Sequence, residues 1–502
     1  MSPLISLSLF YFLFRLPFLS RLPVFSDEAL YMEWGWRATH FGGQLFHSLY
    51  DAKQPFLMWF FSLGQEIFPD PLFGSRAISV LTGLLSLTGL YLITKKYFDE
   101  KTARIAALFY ITIPFFVFFD RQALMESALV ACSVWSLYFY LKIRENPTFK
   151  NALLLGTVLG LGFFVKNTAA LFLLTFLALQ VLSSFQKNFP AAKQATLTIF
   201  SLTAFLAINS ILFFQPLYWS TLKTNSRWTF TIKEILDFPV GQWITNITGN
   251  IELTFVHLTP PVFILALIGI WLMARTRKSE HRIILLWLGL PFIPYLLTER
   301  FMNFMIFRYL TPLLPIIVIP IAFAITQKTK LLLPLIIFPA LFSLVLIINP
   351  VEFFRLQSKF TKYSYQDGYV TGFDTGYQVN EVVRYLKEKS ADGKIYVGMA
   401  VHTFNPESGI WAYFRKDPKV TVSYFDQGLF YPGDLDKVDC FTTNRPLFFV
   451  AKLDDTVGLS RYLEKVTVIT NKYNSDYSTI YTLKKSCTGT TVNLTLETPI
   501  NH

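Results

Sequence analysis

Long apolar runs alternate with short polar segments along most of this 502-residue chain. Because a membrane-spanning helix needs roughly 20 mostly apolar residues, the pattern predicts about eleven spans. They cover 4–20, 72–93, 105–119, 123–141, 151–165, 168–185, 195–214, 260–274, 283–297, 309–326 and 331–349. The composition agrees, since 53% of the residues are hydrophobic and the mean hydropathy is +0.42. The predicted fold class is therefore a polytopic α-helical membrane protein.

Lysine and arginine residues cluster in alternate short loops, at 95–104, 144–150, 187–193, 275–282 and 328–330. The positive-inside rule places these loops and the N-terminus in the cytoplasm. The outer face of the plasma membrane then carries 21–71, 120–122, 166–167, 215–258, 298–308 and the chain after 350. The net charge of +12 is explained by the cytoplasmic loops, so no nucleic-acid partner is indicated. The first apolar run lacks a small-residue cleavage site and is predicted to remain as a span.

The first outer loop, 21–71, is predicted to contain two interfacial helices. Residues 27–41 show helical spacing after Ser26, a residue type that caps helices. Residues 54–68 form the second segment, with Trp59 and Phe60 facing lipid and Gln65 and Glu66 facing water. The second long outer segment, 215–258, is predicted to be a loop in which tryptophans form an aromatic belt.

The composition changes near residue 350, which divides the chain into a transmembrane domain, 1–350, and a soluble extracytoplasmic α/β domain, 351–502. Periodicity predicts helices at 377–389 and 456–465 and strands at 394–399, 420–425, 446–451, 466–470 and 479–483. Cys132 is predicted to be an inert packing residue. Cys440 and Cys487 fall in the exterior domain, where a disulfide between them is permitted but not required.

Ionisable residues at the edges of membrane spans are expensive to place and tend to be functional. A lipid-linked phosphate at the outer surface needs cations, and Lys53 and Arg308 are candidates. A hydroxyl acceptor needs a carboxylate that takes its proton, a general-base role available to Asp27. Both requirements fit one reaction, in which the acceptor attacks a sugar carbon and a lipid phosphate leaves.

Each candidate also has a plain structural explanation. Asp27 and Glu28 can simply favour a helix N-terminus, and Lys53 can extend its ammonium group to the interface. Structural explanations for the others are a Glu126–Arg121 ion pair, a turn-capping role for Lys166 and a hydrogen-bonded loop position for His257.

The order of six segments is more specific than any single residue: Asp27-Glu28-Ala29-Leu30-Tyr31, Lys53-Gln54-Pro55, Phe73-Gly74-Ser75-Arg76-Ala77, Arg121-Gln122-Ala123-Leu124-Met125-Glu126, Gly160-Leu161-Gly162-Phe163-Phe164-Val165-Lys166 and Arg308-Tyr309-Leu310-Thr311-Pro312. In sequence and spacing they resemble the GT-C membrane glycosyltransferases. The resemblance is greatest to the protein O-mannosyltransferases and the lipid A aminoarabinose transferase, and it covers residues 4 to 330.

The resemblance implies a role for each matching position. Asp27 is the catalytic base, with Glu28 beside it and Tyr31 in the same motif, and Lys53 contacts the polyprenyl phosphate. Further positions lie near the cavity or hold phosphate: Glu126, Arg121, Lys166, His257 and the pair Arg308-Tyr309. Leu30 stands where the family often has arginine, so Arg227 or Arg300 is expected to complete the phosphate site. A divalent metal stays open, with Asp27, Glu28 and His257 as the residues that could supply ligands.

The sequence thus predicts an inverting glycosyltransferase with a polyprenyl-phosphate sugar donor and a protein, lipid or glycan acceptor. A flippase of lipid-linked sugars is the first alternative, although no inverted repeat or broken helix is expected here. A related oligosaccharyltransferase is the second, although a Trp-Trp-Asp element is missing from the sequence. A non-catalytic membrane scaffold is the third.

Overall fold

The structure of the chain is a computed structural model. It describes residues 2–184, 190–221, 228–303, 307–328, 332–372, 374–399, 405–424, 440–452, 460–471, 473, 477–484 and 491–493. The chain folds into two compact units. The first comprises Met1–Leu19, Phe46–Phe60 and Arg76–Ser364, and the second comprises Ser20–Leu45, Phe61–Ser75 and Tyr365–His502.

The helices of the N-terminal half run, in chain order, as α1 Pro3–Arg15, α2 Ser26–His40, α3 Phe56–Ile67, α4 Pro71–Tyr97, α5 Glu100–Thr112, α6 Pro114–Asp120, α7 Glu126–Glu145, α8 Phe149–Val165, α9 Ala170–Ser184, α10 Ala191–Phe213 and α11 Pro216–Thr221. Those of the C-terminal half run as α12 Ile232–Leu236, α13 Val240–Leu258, α14 Pro260–Arg275, α15 Ser279–Gly289, α16 Phe292–Thr298, α17 Val318–Lys328, α18 Leu332–Ile348, α19 Pro350–Gln357, α20 Gln366–Tyr369, α21 Tyr377–Lys389 and α22 Glu407–Phe414.

Every predicted span contains helix, but length and apolarity single out fewer candidates. Among the residues described above, three helical segments are long and apolar enough to cross a membrane: Pro71–Tyr97, Ala191–Phe213 and Ser279–Thr298, the last of which combines α15 and α16. The number rises to five if each of two bent helix pairs counts as one span. The total of eleven therefore stays a prediction.

The two bent pairs correct two expectations from the sequence. Helices α5 and α6 meet at an angle of 67°, and α13 and α14 meet at 111°. Proline explains both breaks, because Pro114 and Pro260 begin the second helix of each pair and have no N–H to continue the first. Broken helices are thus present, and the segment 215–258, predicted to be a loop, contains the 19-residue helix α13.

Close backbone approach explains the packing of α8 against α10 in the first unit. A Cβ on Gly156 would lie 2.0 Å from the carbonyl oxygen of Ser201, so only glycine fits there. On the same side of α8, the Asn209 side chain donates to the Gly160 carbonyl oxygen at 3.1 Å. These two contacts fix how far α8 and α10 are shifted along each other.

The second unit is built on a five-stranded sheet with the order β2-β1-β4-β6-β5. Its strands are β1 Ile395–Met399, β2 Val420–Tyr424, β4 Leu447–Lys452, β5 Leu463–Thr470 and β6 Tyr477–Leu483, and β3 Cys440–Thr442 pairs with β7 Thr491–Asn493. Strand β1 runs parallel to β2 and β4, whereas β6 is antiparallel to β4 and β5. The α/β character predicted for this region is confirmed.

Helix α2, which lies in the predicted first outer loop, belongs to the hydrophobic core of this second unit. Ala29, Met32 and Trp36 pack in one buried cluster with residues of α21, α22 and the sheet. The helix was predicted to lie in the membrane interface, and this burial is a use of its apolar face that the sequence did not indicate.

Three local predictions about this unit are wrong. Ser26 lies inside α2 rather than capping it, and its hydroxyl donates to the Asp374 carboxylate at 2.6 Å. Gln65 is buried and donates to the Met32 carbonyl oxygen at 2.9 Å instead of facing water. Residues 463–465 of the predicted helix 456–465 form strand β5, because they pair with β6, while 456–459 lie outside the described residues.

Candidate active site

Four residues that the sequence marked separately meet in the first unit. The Lys166 Nζ lies 2.8 Å from Oε1 of Glu126, and the Arg308 Nε lies 3.7 Å from the same oxygen. The Lys166 ammonium also stands 4.3 Å from the centre of the Tyr309 ring, and the Arg308 guanidinium 5.7 Å. The ring face attracts cations, so Tyr309 and Glu126 together hold both positive groups. We call these four residues the charged cluster.

The charged residues of the cluster lie at the ends of helices or in a short turn. Glu126 is the first residue of α7, and Lys166 directly follows the last residue of α8. Arg308 opens a short 3-10 turn, Arg308–Leu310. The Glu126 side chain is 2% exposed, that of Arg308 5% and that of Lys166 16%. Water therefore screens the interactions between these charges only weakly, and of the three side chains Lys166 has the greatest access to solvent.

Arg121 does not pair with Glu126, which corrects the structural explanation proposed from the sequence. Its guanidinium donates to the carbonyl oxygens of Arg15 at 2.6 Å, Pro17 at 2.9 Å and Phe18 at 3.0 Å. These carbonyls lie at the C-terminal end of α1 and in the residues just after it, where helix geometry leaves acceptors unsatisfied. Phe18 adopts a left-handed φ of 53°, and the arginine holds this turn.

The turn before Glu126 is fixed by a second buried contact. The Arg15 Nε lies 3.0 Å from the Asp120 carboxylate, with side-chain exposures of 0% and 3%. Asp120 also accepts from Ser127, the neighbour of Glu126, at 3.0 Å. The sequence analysis missed Arg15 and Asp120, although both are ionisable residues at or within the edges of predicted spans.

The lysine turn is joined to the residue that follows Lys166. Gln54, next to Lys53, donates its side-chain amide to the Asn167 side chain. Tyr218 donates to the same Asn167 oxygen at 3.3 Å. Lys53 itself lies 3.6 Å from the Asp51 carboxylate and is partly exposed. The sequence prediction therefore named the two lysines but missed the amides beside them that link their turns.

His257 is a buried residue near the end of α13 rather than a loop histidine. Its Nδ1 lies 2.7 Å from the Leu253 carbonyl oxygen and its Nε2 lies 3.0 Å from the Gln357 amide nitrogen. Its ring packs against Phe115 and against Phe307, the residue before Arg308. Both ring nitrogens thus have protein neighbours within the first unit.

An apolar cavity of about 260 Å³ adjoins this histidine, because Gln357 contributes to its wall. The lining is mainly apolar and includes Phe255, Phe338, Phe342 and Phe353. It lies beside both helix breaks, since Pro114 and Pro260 also face it. The cavity suits a hydrocarbon chain better than a polar ligand.

The two alternative phosphate ligands are not part of the charged cluster as described. Arg300 Nη2 lies 2.8 Å from the Glu234 carboxylate, and Arg227 falls outside the described residues. Glu299, beside Arg300, is a buried carboxyl that accepts from Tyr295 at 3.0 Å and from Asn250 at 3.3 Å. Burial raises the pKa of Glu299 to about 8, although those two hydrogen bonds oppose the shift.

The predicted base belongs to the second unit. Asp27 and Glu28 lie in the first turn of α2 and are buried, as is Tyr31 one turn later. The Glu28 carboxylate accepts from the backbone N–H of Phe25 at 3.0 Å, which caps the helix. The capping role considered for the Asp-Glu pair is therefore filled by Glu28, and the base assignment of Asp27 stays a prediction.

Within the described part of the chain, no group of three or more His, Cys, Asp or Glu side chains is arranged to hold a metal ion. Cys132 is a free thiol on α7. Cys487 lies outside the described residues, so the disulfide with Cys440 stays a prediction.

Comparisons with known proteins agree with the resemblance seen in the sequence. Residues 52–219 match the family model described as dolichyl-phosphate-mannose-protein mannosyltransferase. The fold is similar to ArnT from Cupriavidus metallidurans in the apo state, with a TM-score of 0.60 and 14% identity over 95% of this chain and 97% of that chain. The same transferase bound to undecaprenyl phosphate gives 0.60 and 13% identity over 97% and 98% of the two chains.

A further similar fold is that of the oligosaccharyltransferase AglB from Archaeoglobus fulgidus, in complex with an inhibitory peptide and a dolichol-phosphate. Its TM-score is 0.51 and its identity 14%, over 82% of this chain and 63% of that chain. No curated protein matches the sequence. The family model and the folds confirm the resemblance to GT-C membrane glycosyltransferases.

Proposed function

We propose that this protein is an inverting glycosyltransferase that moves a sugar from a polyprenyl-phosphate donor to an acceptor hydroxyl at the outer face of the plasma membrane. The charged cluster is the observation that carries the proposal. Two cations fixed beside a carboxylate and an aromatic face are the charged donors that phosphate oxygens bind most strongly. The bound lipid phosphates in ArnT and AglB support this choice of ligand.

The departing phosphate gains negative charge as the sugar carbon leaves it. Lys166 and Arg308 are held before the reaction, so they stabilise that charge without reorganising. Lys53, whose turn is joined through Gln54 to the residue after Lys166, is assigned a supporting contact to the same phosphate. The apolar cavity near His257 offers space for part of the isoprenoid chain.

Asp27 is assigned the acceptor proton. Direct displacement by the acceptor, with the phosphate leaving from the opposite side of the sugar, inverts the anomeric carbon. A carboxylate that accepts the proton during attack contributes about 100-fold to 10,000-fold in rate. The sugar and the acceptor are left open, as is the place of the soluble α/β domain in binding the acceptor.

The test uses purified full-length protein in lipid nanodiscs, a radiolabelled polyprenyl-phosphate sugar and a membrane extract as acceptor. We expect Asp27→Asn, Lys166→Met and Arg308→Met each to lose about 100-fold or more of the transfer rate. Arg355→Gln is the matched control, because Arg355 is an exposed arginine whose partner Glu352 lies only three residues away. Undiminished transfer by Asp27→Asn contradicts the base assignment, and undiminished transfer by both cation variants contradicts the phosphate site.

Transport of lipid-linked sugars is the second candidate, favoured by the two broken helices. Discontinuous helices at angles of 67° and 111° are features that transporters also use. The same protein in sealed vesicles distinguishes the two functions. A transporter moves labelled donor between leaflets without consuming it, whereas a transferase releases polyprenyl phosphate in proportion to the sugar transferred.

A further inference from the structure

The position of Glu126 in the charged cluster points to a role that the transfer reaction itself does not require. One oxygen of its carboxylate lies 2.8 Å from the Lys166 Nζ and 3.7 Å from the Arg308 Nε. A phosphate bound by the same two cations must share them with this carboxylate. Glu126 therefore competes with the lipid phosphate for Lys166 and Arg308.

The backbone that carries this carboxylate is firmly held. Glu126 begins α7, and the next residue, Ser127, donates to Asp120 at 3.0 Å. Asp120 is itself fixed by Arg15 at 3.0 Å. These contacts keep the Glu126 charge in the site while a phosphate arrives and leaves.

Donor and product differ in charge in the way that such a competitor can sense. A polyprenyl-phosphate sugar is a phosphodiester with a single negative charge. The polyprenyl phosphate left after transfer is a monoester, which carries about 1.5 to 2 negative charges near neutral pH. A carboxylate fixed beside the cations repels the more highly charged product more strongly than it repels the donor.

We propose that Glu126 tunes the charged cluster to prefer the singly charged donor and so drives release of the more highly charged polyprenyl phosphate. This inference rests on the proposed function. Glu126 acts through Lys166 and Arg308 and is a positioning residue in this sense. Without it, the product remains bound and inhibits the next turnover.

Equilibrium binding to the protein in nanodiscs tests the inference with two probes that contain no sugar. Undecaprenyl phosphate represents the product, and its monomethyl ester, a diester with one charge, represents the donor. We expect Glu126→Gln to increase the preference for the monoester over the diester by about tenfold, since one unit charge at about 4–6 Å has at least this effect at a partly buried site. Glu126→Asp keeps the charge and should keep the wild-type preference.

A charge-restoring double variant separates electrostatics from shape. Glu126→Gln with Lys166→Gln removes one negative and one positive charge, so the cluster has the same net charge as in the wild type. The preference should therefore revert towards that of the wild type, although both probes bind less tightly. An unchanged preference in Glu126→Gln, or no reversion in the double variant, overturns the inference while leaving the proposed function intact. Failure of the wild type to bind either probe overturns both.

Discussion

The buried pair of Arg15 and Asp120 gives the sharpest prediction about stability. The Arg15 guanidinium donates to the carbonyl oxygens of Ile111 at 2.8 Å and Tyr110 at 3.1 Å, besides its contact with Asp120. Asp120 accepts further bonds from the hydroxyls of Tyr11 at 3.2 Å and Tyr110 at 3.1 Å. Because Ser127 also donates to Asp120, every change at either charge disturbs a network that reaches four helices, α1, α5, α6 and α7.

Asp120→Asn removes the acidic partner of Arg15 and leaves its cation buried at 0% side-chain exposure. Solvent does not screen this site, so the loss should be that of a broken buried ion pair, about 3–5 kcal/mol. The stability of a typical folded domain is about 5–15 kcal/mol, so one substitution should remove a large share of it. Arg15→Met should cost a similar amount for the same reason.

The assay is thermal and denaturant-induced unfolding of the full-length protein in detergent, with all four members of the double-mutant cycle. We expect Arg15→Met with Asp120→Asn to be less destabilised than the sum of the single variants, by about 1–3 kcal/mol. Glu352→Gln, which breaks the exposed pair with Arg355, is the control and should change stability by less than about 0.5 kcal/mol. Additive single variants, or a cost of Asp120→Asn no larger than that of the control, would refute the reasoning.

Three further outcomes follow from other sites, all measured by unfolding of the full-length protein. Burial raises the pKa of Glu299 from 4.5 to about 8, so in this pH range the folded state keeps a proton that the unfolded chain releases. The free energy of unfolding should therefore fall as the pH rises from 4.5 to about 8, and Glu299→Gln should remove this pH dependence. Gly156→Ala forces a Cβ to within 2.0 Å of a facing carbonyl oxygen and should cost about 1–3 kcal/mol, whereas Gly241→Ala meets nothing within 4 Å and should be neutral or slightly stabilising. Tyr424→Phe loses a 2.7 Å hydrogen bond to the buried Glu33 carboxylate and should cost about 1.5–3 kcal/mol.

Hydrophobic periodicity predicted helices and strands well where burial of one apolar face determines the local structure. Helix α21 begins and ends where its pattern indicated, at Tyr377 and Lys389, because valines and a leucine on one face meet the core. The same reasoning failed at 463–465, where pairing with β6 outweighs the helical spacing. A partner strand in another part of the chain cannot be inferred from a ten-residue window.

The charged cluster shows a similar division between what is local and what is not. Glu126, Lys166 and Arg308 were selected as ionisable residues at the edges of apolar runs, a property visible in the sequence, and Tyr309 was selected from the family resemblance. Their convergence was not visible, since 40 residues separate Glu126 from Lys166 along the chain. The predicted partner Arg121 failed because α7 begins only at Glu126, so helical spacing does not apply between the two residues.

The ionisable residues at span edges divide into two classes according to what they bind. Arg15 and Arg121 donate mainly to backbone carbonyls at helix ends. In an apolar surrounding no water is available to donate to those carbonyls. Glu126 and Lys166 instead contact each other's charged atoms, and no helix end requires that pairing. A charged side chain that donates to unsatisfied backbone carbonyls has a structural role that explains why it is buried. A charged side chain that contacts mainly another charged side chain does not have this explanation. This distinction places Arg121 with the scaffold, whereas the contact between Glu126 and Lys166 is not explained by the backbone.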